Sequence, residues 1–197
     1  MTRTVALLVV LAVAPLHVPV AATSGWPDTV LVFRRHAKGS SIPARVERVP
    51  TPLYVGRVLQ SGALPPDRPI EALKAMAVVV GTRITWLSRH PDRRMRFKGR
   101  AFDVTDGSKP QWCRSCDHGM LYRRVHVHSR IRKAVAAVEG VVLRRPNGNL
   151  RKPQWSGPGY TVTGNRLPAM GASLLARRGY SWKRIIATYF PRGTVSR

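Results

Sequence analysis

Val49–Leu87 reads VPTPLYVGRVLQSGALPPDRPIEALKAMAVVVGTRITWL, and this stretch decides the fold. Leu73, Met76, Ala77, Val80, Ile84 and Leu87 recur at steps of three and four, the spacing that lines up side chains on one helical face. The helix is expected to begin near Pro69, which suits a first turn, with Glu71 where the helix dipole favours a carboxylate. It ends before His90-Pro91. Upstream, Thr51 is expected to cap a short helix with Pro52 at its first position, carrying Leu53, Tyr54, Val55, Val58 and Leu59. Gly62 and the pair Pro65-Pro66 stop that helix, so a proline-dense turn separates the two.

Working outward, Thr29–Arg35 (TVLVFRR) is rich in β-branched residues and Ala44–Val49 (ARVERV) alternates apolar and polar; with the turn-like HAKGSSIP between them they predict a β-hairpin. After the main helix comes a basic, loop-like segment, Ser88–Arg100, then a short strand over Ala101–Val104 and an irregular stretch through Met120. Helical spacing returns in Val125–Val138, with Ile131, Val135 and Val138 on one face. VVLRR then reads as a strand running into the turn Pro146-Asn147-Gly148. Gln154–Thr163 is rich in glycine and proline. Pro168–Arg178 is a helix closed by Gly179, and Ser181 caps a last helix, SWKRIIATYF, ended by Pro191. There are no internal repeats. Hairpins and helices without regular βαβ alternation predict an α+β fold: a single compact domain with an N-terminal β-hairpin, a central amphipathic helix and a C-terminal helical segment.

The chain has 197 residues with 34 Lys+Arg against 9 Asp+Glu, a net charge of +25. A hydrophobic content of 44% is enough for a core, so wholesale disorder is not expected. A surface this basic attracts polyanions. The first residues indicate where those polyanions lie. Arg3 precedes the apolar run VALLVVLAVAP, and Val20-Ala21-Ala22 supplies small residues of the kind a signal peptidase requires. Residues 1–22 therefore read as an export signal, residues 23–197 as the mature domain, and the apolar run is too short to span a membrane. Export makes nucleic acid a poor partner and favours anionic wall polymers. The basic run Arg89–Arg100, with Arg93, Arg94 and Arg96, reads first as a solvated loop and second as a docking surface for such a polymer. Trp86 and Trp182 sit in helical patterns and read as core. Trp112 and Trp155, in loop-like segments, are the candidates to stack on sugars.

VPTPLYVGRVL, the proline-rich turn and PIEALKAMAVVVGTR resemble the signature of the stage II sporulation protein D / LytB amidase-enhancer domain. That signature runs VPLEDYVRGVV, a Glu-Met-Pro turn, then EALKAQAVAARTYA. Phe102–Asp106 with Gln111 is similar to the family's FDLCDTTHCQ segment, and Ala134–Arg145 to AVEATRGLVLTY. WSGPGYT (Trp155–Thr161) is similar to a Ser-Gly-Gly-x-Thr turn, and GASLLARRGYSWKRIIATYFPRG to the family's closing GAQAMAEQGYSYREILAHYYPG. The resemblance covers nearly the whole mature chain in order. It implies a wall-associated protein, either a lytic transglycosylase that cuts glycan strands or an enhancer of a wall amidase, with peptidoglycan or another anionic wall polymer as partner.

Glycosidic cleavage needs a carboxylic acid, held in a cleft that raises its pKa, to protonate the leaving oxygen. The resemblance implies that this acid is the Glu of the Glu-Met-Pro turn. Counting forward from Tyr54 puts that Glu at Gly62; counting back from Glu71 puts it at Ala63. Neither is acidic. Asp67 and Glu71 are the nearest carboxylates: Glu71 reads as helix capping, and Asp67 could serve only in a rebuilt turn. The family's Cys, His and Cys fall on Thr105, Lys109 and Pro110, and the His of its GHGVGMSQ segment on Thr163. The expectation is a wall-binding protein without the usual catalytic Glu, set against an active transglycosylase using a displaced carboxylate. Cys113 and Cys116, in WCRSC, form a candidate disulfide of the kind an oxidising compartment permits. With His118 and His126 or His128 they form instead a candidate zinc set. No other cofactor is expected.

Overall fold

The computed structural model describes residues 25–34, 44–90, 95–106, 124–156 and 165–197. Its strands are β1 (Thr29–Arg34), β2 (Arg45–Pro50), β3 (Met95–Phe97), β4 (Arg100–Phe102), β5 (Val104–Thr105), β6 (Val142–Arg144), β7 (Gln154–Ser156), β8 (Arg166–Pro168) and β9 (Thr194–Ser196). Its helices are α1 (Thr51–Val58), α2 (Ile70–Ser88), α3 (Ser129–Ala137), α4 (Ala169–Arg177) and α5 (Trp182–Tyr189). The fold is α+β, as predicted.

β1 and β2 form the expected antiparallel pair, with Val32 opposite Glu47, and β5 adds to the other side of β1 in parallel. The β3–β4 hairpin docks on this sheet through aromatic rings: Phe33 lies 4.8 Å from Phe97 and 5.1 Å from Phe102 between centroids. Three further two-stranded pieces, β6–β9, β7–β8 and β3–β4, replace one large sheet. The common neighbour is α2, which touches α1, α3, α4, α5, β6 and β7.

In α2 the structure differs from the amphipathic stripe expected of it. From Ala72 to Thr85 every residue but Lys74 is buried, so the helix is enclosed on all sides rather than on one face. The sequence between the stripe positions explains this. Ala75, Val78, Val79 and Gly81 are themselves small or apolar, and a helix apolar all round belongs inside a protein. Its two buried threonines do not break the rule, because both are satisfied. The Thr82 hydroxyl donates to the Val78 carbonyl (2.7 Å) and accepts the Leu143 N–H of β6 (2.9 Å), and the Thr85 hydroxyl donates to the Gly81 carbonyl (2.9 Å). Thr82 thereby ties the helix to a strand 61 residues away.

Thr51 is a second correction. It is the first residue of α1, preceded by Pro50, and its hydroxyl donates to the Pro27 carbonyl instead of capping the helix. Its backbone N–H donates to the Asp28 carbonyl at 2.9 Å, so Thr51 anchors the chain segment before β1. The same segment delivers Trp26, whose indole N–H donates to the Val141 carbonyl (2.7 Å) and whose ring lies flat against Gly81. A Cβ on Gly81 would sit 2.1 Å from the ring. Glycine in mid-helix costs roughly 1 kcal/mol relative to alanine; here it makes room for the indole. Gly81→Ala should therefore destabilise the protein by about 1–3 kcal/mol despite its better helix propensity. Chemical denaturation, with tryptophan emission reporting the displaced indole, checks this; a stabilised variant would contradict the packing.

Candidate functional site

The turn between α1 and α2 is where the resemblance places chemistry. The end of α1 widens into a single π-turn over Leu59–Ala63, closed by the Leu64 N–H donating to the Leu59 carbonyl at 3.2 Å. Gly62 makes this possible, with φ 138° and ψ −5°, a backbone geometry that residues with a side chain rarely adopt. A second tight turn follows, in which the Arg68 N–H donates to the Pro65 carbonyl (3.2 Å), and α2 begins. The turn is fastened from both sides. Ala63 and Leu64 are buried in the core, and the Gln60 side-chain carbonyl accepts the His128 N–H (3.1 Å) at the start of α3.

Both positions where a catalytic Glu is expected lie inside this turn, and neither can substitute for it chemically. A side chain at 62 would strain the backbone, and Ala63 ends at a methyl group that is 8% exposed. Asp67 projects from the second turn with its side chain 75% exposed and 3.9 Å from Arg68 Nε. Glu71 is engaged twice: Oε1 pairs with Lys74 Nζ at 2.6 Å, and Oε2 accepts the Trp182 N–H at 2.8 Å. Partial burial pushes its carboxyl up, but the Lys74 and Trp182 hydrogen bonds and the Lys74 charge outweigh that, leaving it below the usual carboxylate range. A general acid requires the opposite shift. Glu71 is indeed a capping residue, though the backbone N–H it caps belongs to α5 rather than to its own helix.

Asp103 is a residue whose role the sequence did not disclose. It is buried, its Oδ2 accepts the Leu31 N–H (2.9 Å) and its own N–H donates to the Leu31 carbonyl (2.8 Å). That reciprocal pair fixes the entry to β5 against β1. Glu47, on β2, accepts from Arg34 (3.3 Å) and Arg124 (2.7 Å); burial raises its carboxyl less than these two guanidinium groups lower it.

The candidate binding and metal residues are dispersed. Arg96 is exposed on β3 and donates to the Gly99 carbonyl of its own hairpin (3.0 Å). Trp155, on β7, is half-buried against the core opposite Leu167. Trp86 and Trp182 pack partly buried on the core, as expected. His128 is the N-cap of α3, its Nδ1 accepting the Arg130 N–H (3.2 Å), so the ring presents Nε2 as its remaining nitrogen. His126 is exposed. Among the described residues, no group of three or more His, Cys, Asp or Glu is placed to hold a metal ion. Arg93, Arg94, Trp112, Cys113, Cys116 and His118 lie outside the described residues, and so do residues 1–22, expected to be an export signal, and the WSGPGYT turn beyond Ser156.

Because the folded-state pKa of Glu71 is depressed, its contribution to stability is present above the unfolded value near 4.5 and is lost as pH falls below it through the folded pKa. Glu71→Gln should lower stability at neutral pH by about 1–2 kcal/mol. Urea denaturation should show the gap between variant and parent closing in acid; a gap that widens there would reverse the assigned shift.

No curated protein matches the chain as a relative. A family model described as Stage II sporulation protein matches residues 41–144, more than half of the chain. The match takes in β2, the α1–turn–α2 unit, α3 and β6, while β7 onward, with the closing helices, lies beyond it. No helix among the described residues is long and apolar enough to cross a membrane. With the turn and its buried helix both inside the match, the chain belongs to the stage II sporulation protein family, a cell-wall-related one.

Proposed function

We propose that the protein is exported, associates with the cell wall, and binds peptidoglycan or modulates a wall hydrolase such as an amidase, without cutting glycan strands itself. The observation that carries this reading is the turn at Gly62-Ala63. The backbone there is held by a glycine-specific φ and a buried methyl group, in the place where the family's enzymatic members need a desolvated carboxylic acid. The two nearest carboxylates support it from opposite directions. Asp67 is exposed beside Arg68 and not held in the core, and Glu71 is engaged by Lys74 and Trp182, which hold its carboxyl below the usual range.

Binding to an anionic wall polymer is supported by the net charge of +25, which concentrates polyanions at the surface and makes the association salt-dependent. Arg96 belongs to the contact surface in this reading, together with Arg93, Arg94 and Trp112; Trp155 offers its outward edge to a sugar. The Cys113–Cys116 pair is assigned as a disulfide, with zinc held by Cys113, Cys116, His118 and His128 as the competing state. Metal content measured together with thiol labelling separates the two.

Purified protein on a peptidoglycan zymogram should leave no cleared zone, and it should pellet with insoluble peptidoglycan at moderate salt. Arg96→Gln should weaken pelleting about two- to threefold, in line with the loss of one exposed cation. Clearing that vanishes in Asp67→Asn or Glu71→Gln would establish instead a transglycosylase with a displaced acid. Failure to pellet would remove the wall-binding reading.

A further inference from the structure

The opposite end of α2 from the turn, about 28 Å away along the helix axis, carries a second concave feature with a different chemistry. A cavity of about 460 Å³ opens there, lined by Trp86, Arg89 and His90 from the end of the helix and by Arg144, Arg145 and the Gly148–Leu150 turn that follows β6. The described residues lining it include three arginines and no carboxylate. Its volume lies in the range of roughly 300–1,000 Å³ common to small-ligand sites.

The frame that holds these cations is built, not incidental. Arg144 donates from Nε to the Ser196 hydroxyl (2.9 Å) and from Nη1 to the Gly148 carbonyl (2.9 Å), so its guanidinium is fixed between β9 and the turn. The backbone of Arg145 is fixed at both ends: its N–H donates to the Asn149 carbonyl (2.8 Å) and its carbonyl accepts the Gly148 N–H (2.9 Å). Gly148 sits at φ 79°, as this tight turn requires. On the helical side, His90 Nδ1 donates to the Trp86 carbonyl (2.6 Å), and its ring stacks on the Trp86 indole with centroids 4.0 Å apart. Lys152 Nζ lies 4.8 Å from the centroid of that same indole, adding a further cation beside the cavity. Burial depresses the Arg89 guanidinium and the nearby Arg144 charge depresses it further, the direction expected where cations are gathered in a recess.

We propose that this cavity binds a small phosphomonoester, with Arg89, Arg144 and Arg145 donating to the phosphoryl oxygens. Charge and geometry select phosphate over carboxylate. A phosphomonoester brings a charge of about −1.5 to −2 and three acceptor oxygens, which can engage several guanidinium forks at once. A single carboxylate brings one charge and two oxygens, enough for one fork. The open volume accommodates the body of a phosphorylated sugar in addition to its phosphate. The site does not depend on the wall-binding reading, because its ligand is a small soluble anion and its residues are remote from the α1–α2 turn.

Titration calorimetry on the purified protein at physiological ionic strength tests this, with glucose 6-phosphate, inorganic phosphate and glucuronate as separate probes. Saturable one-to-one binding of glucose 6-phosphate is expected, with inorganic phosphate weaker because it lacks the sugar body and glucuronate weaker by at least tenfold. Arg89→Gln and Arg145→Gln should each reduce glucose 6-phosphate affinity about tenfold, as loss of a charge-assisted hydrogen bond does. Circular dichroism confirms that each variant is folded; Arg145 is exposed, so its substitution leaves the core untouched. Arg177→Gln with Arg178→Gln removes two exposed charges on α4 and should leave affinity unchanged. Equal weakening by the α4 variant would show a diffuse charge effect and overturn the site, as would glucuronate binding as tightly as the phosphate or the absence of saturable binding. None of these outcomes bears on pelleting with peptidoglycan, so the two readings fail separately.

Discussion

Everything in this fold is arranged to keep one helix dry. A 19-residue helix buried from Ala72 to Thr85 at every position but Lys74 has little face to offer water, and its burial demands neighbours on every side. The described residues answer with four small sheets and four other helices, instead of a single large sheet with one packed face. The polar groups that burial would otherwise strand are handled locally: Thr82 and Thr85 bond back to their own helix, and Thr82 spends its remaining lone pair on β6.

This arrangement explains why the turn before α2 is so firmly set. Its far end is the first turn of the buried helix, and its near end is the docked helix α1, so neither flank can yield. The π-turn absorbs the mismatch between them in one wide loop of backbone, with a glycine at the point where the chain reverses. In relatives that cut glycan such rigidity would aim an acid. In this chain the same rigidity surrounds a methyl group, and the carboxylate just beyond it, Glu71, is turned to holding α5 against α2. Glu71 thus acts through geometry and charge on the fold.

The helices and the hairpin were legible because each is written in local terms: spacing of apolar residues for α2, α3 and α4, a serine before Trp182 for α5, β-branched residues for β1 and alternation for β2. The contacts that organise them were not. Thr51 has the residue type and position of a cap, yet its hydroxyl goes to Pro27, a partner 24 residues earlier that no local pattern specifies. Gly81 reads as a weak spot in a helix until Trp26 is placed against it. Asp103 lies in a recognisable segment, but its pairing with Leu31 depends on a parallel strand register that arises from tertiary packing. At the candidate site the letters Gly62 and Ala63 already stood where the resemblance expects an acid. That Gly62 adopts a left-handed φ, and that Glu71 faces another helix, are consequences of three-dimensional closure.

The enclosure of α2 also constrains the order in which the molecule can form. The partners of residues 70–88 extend from Trp26 to the closing helix that ends at Tyr189, and the bond from Trp182 to Glu71 spans 111 residues. Contacts so distant along the chain make the search for the native state slow, because long loops must close before their ends are rewarded. A chain emerging N-terminus first exposes the most apolar helix of the protein well before β6, α4 and α5 exist to cover it. That order leaves a window in which Val78–Val80 is exposed to aggregation.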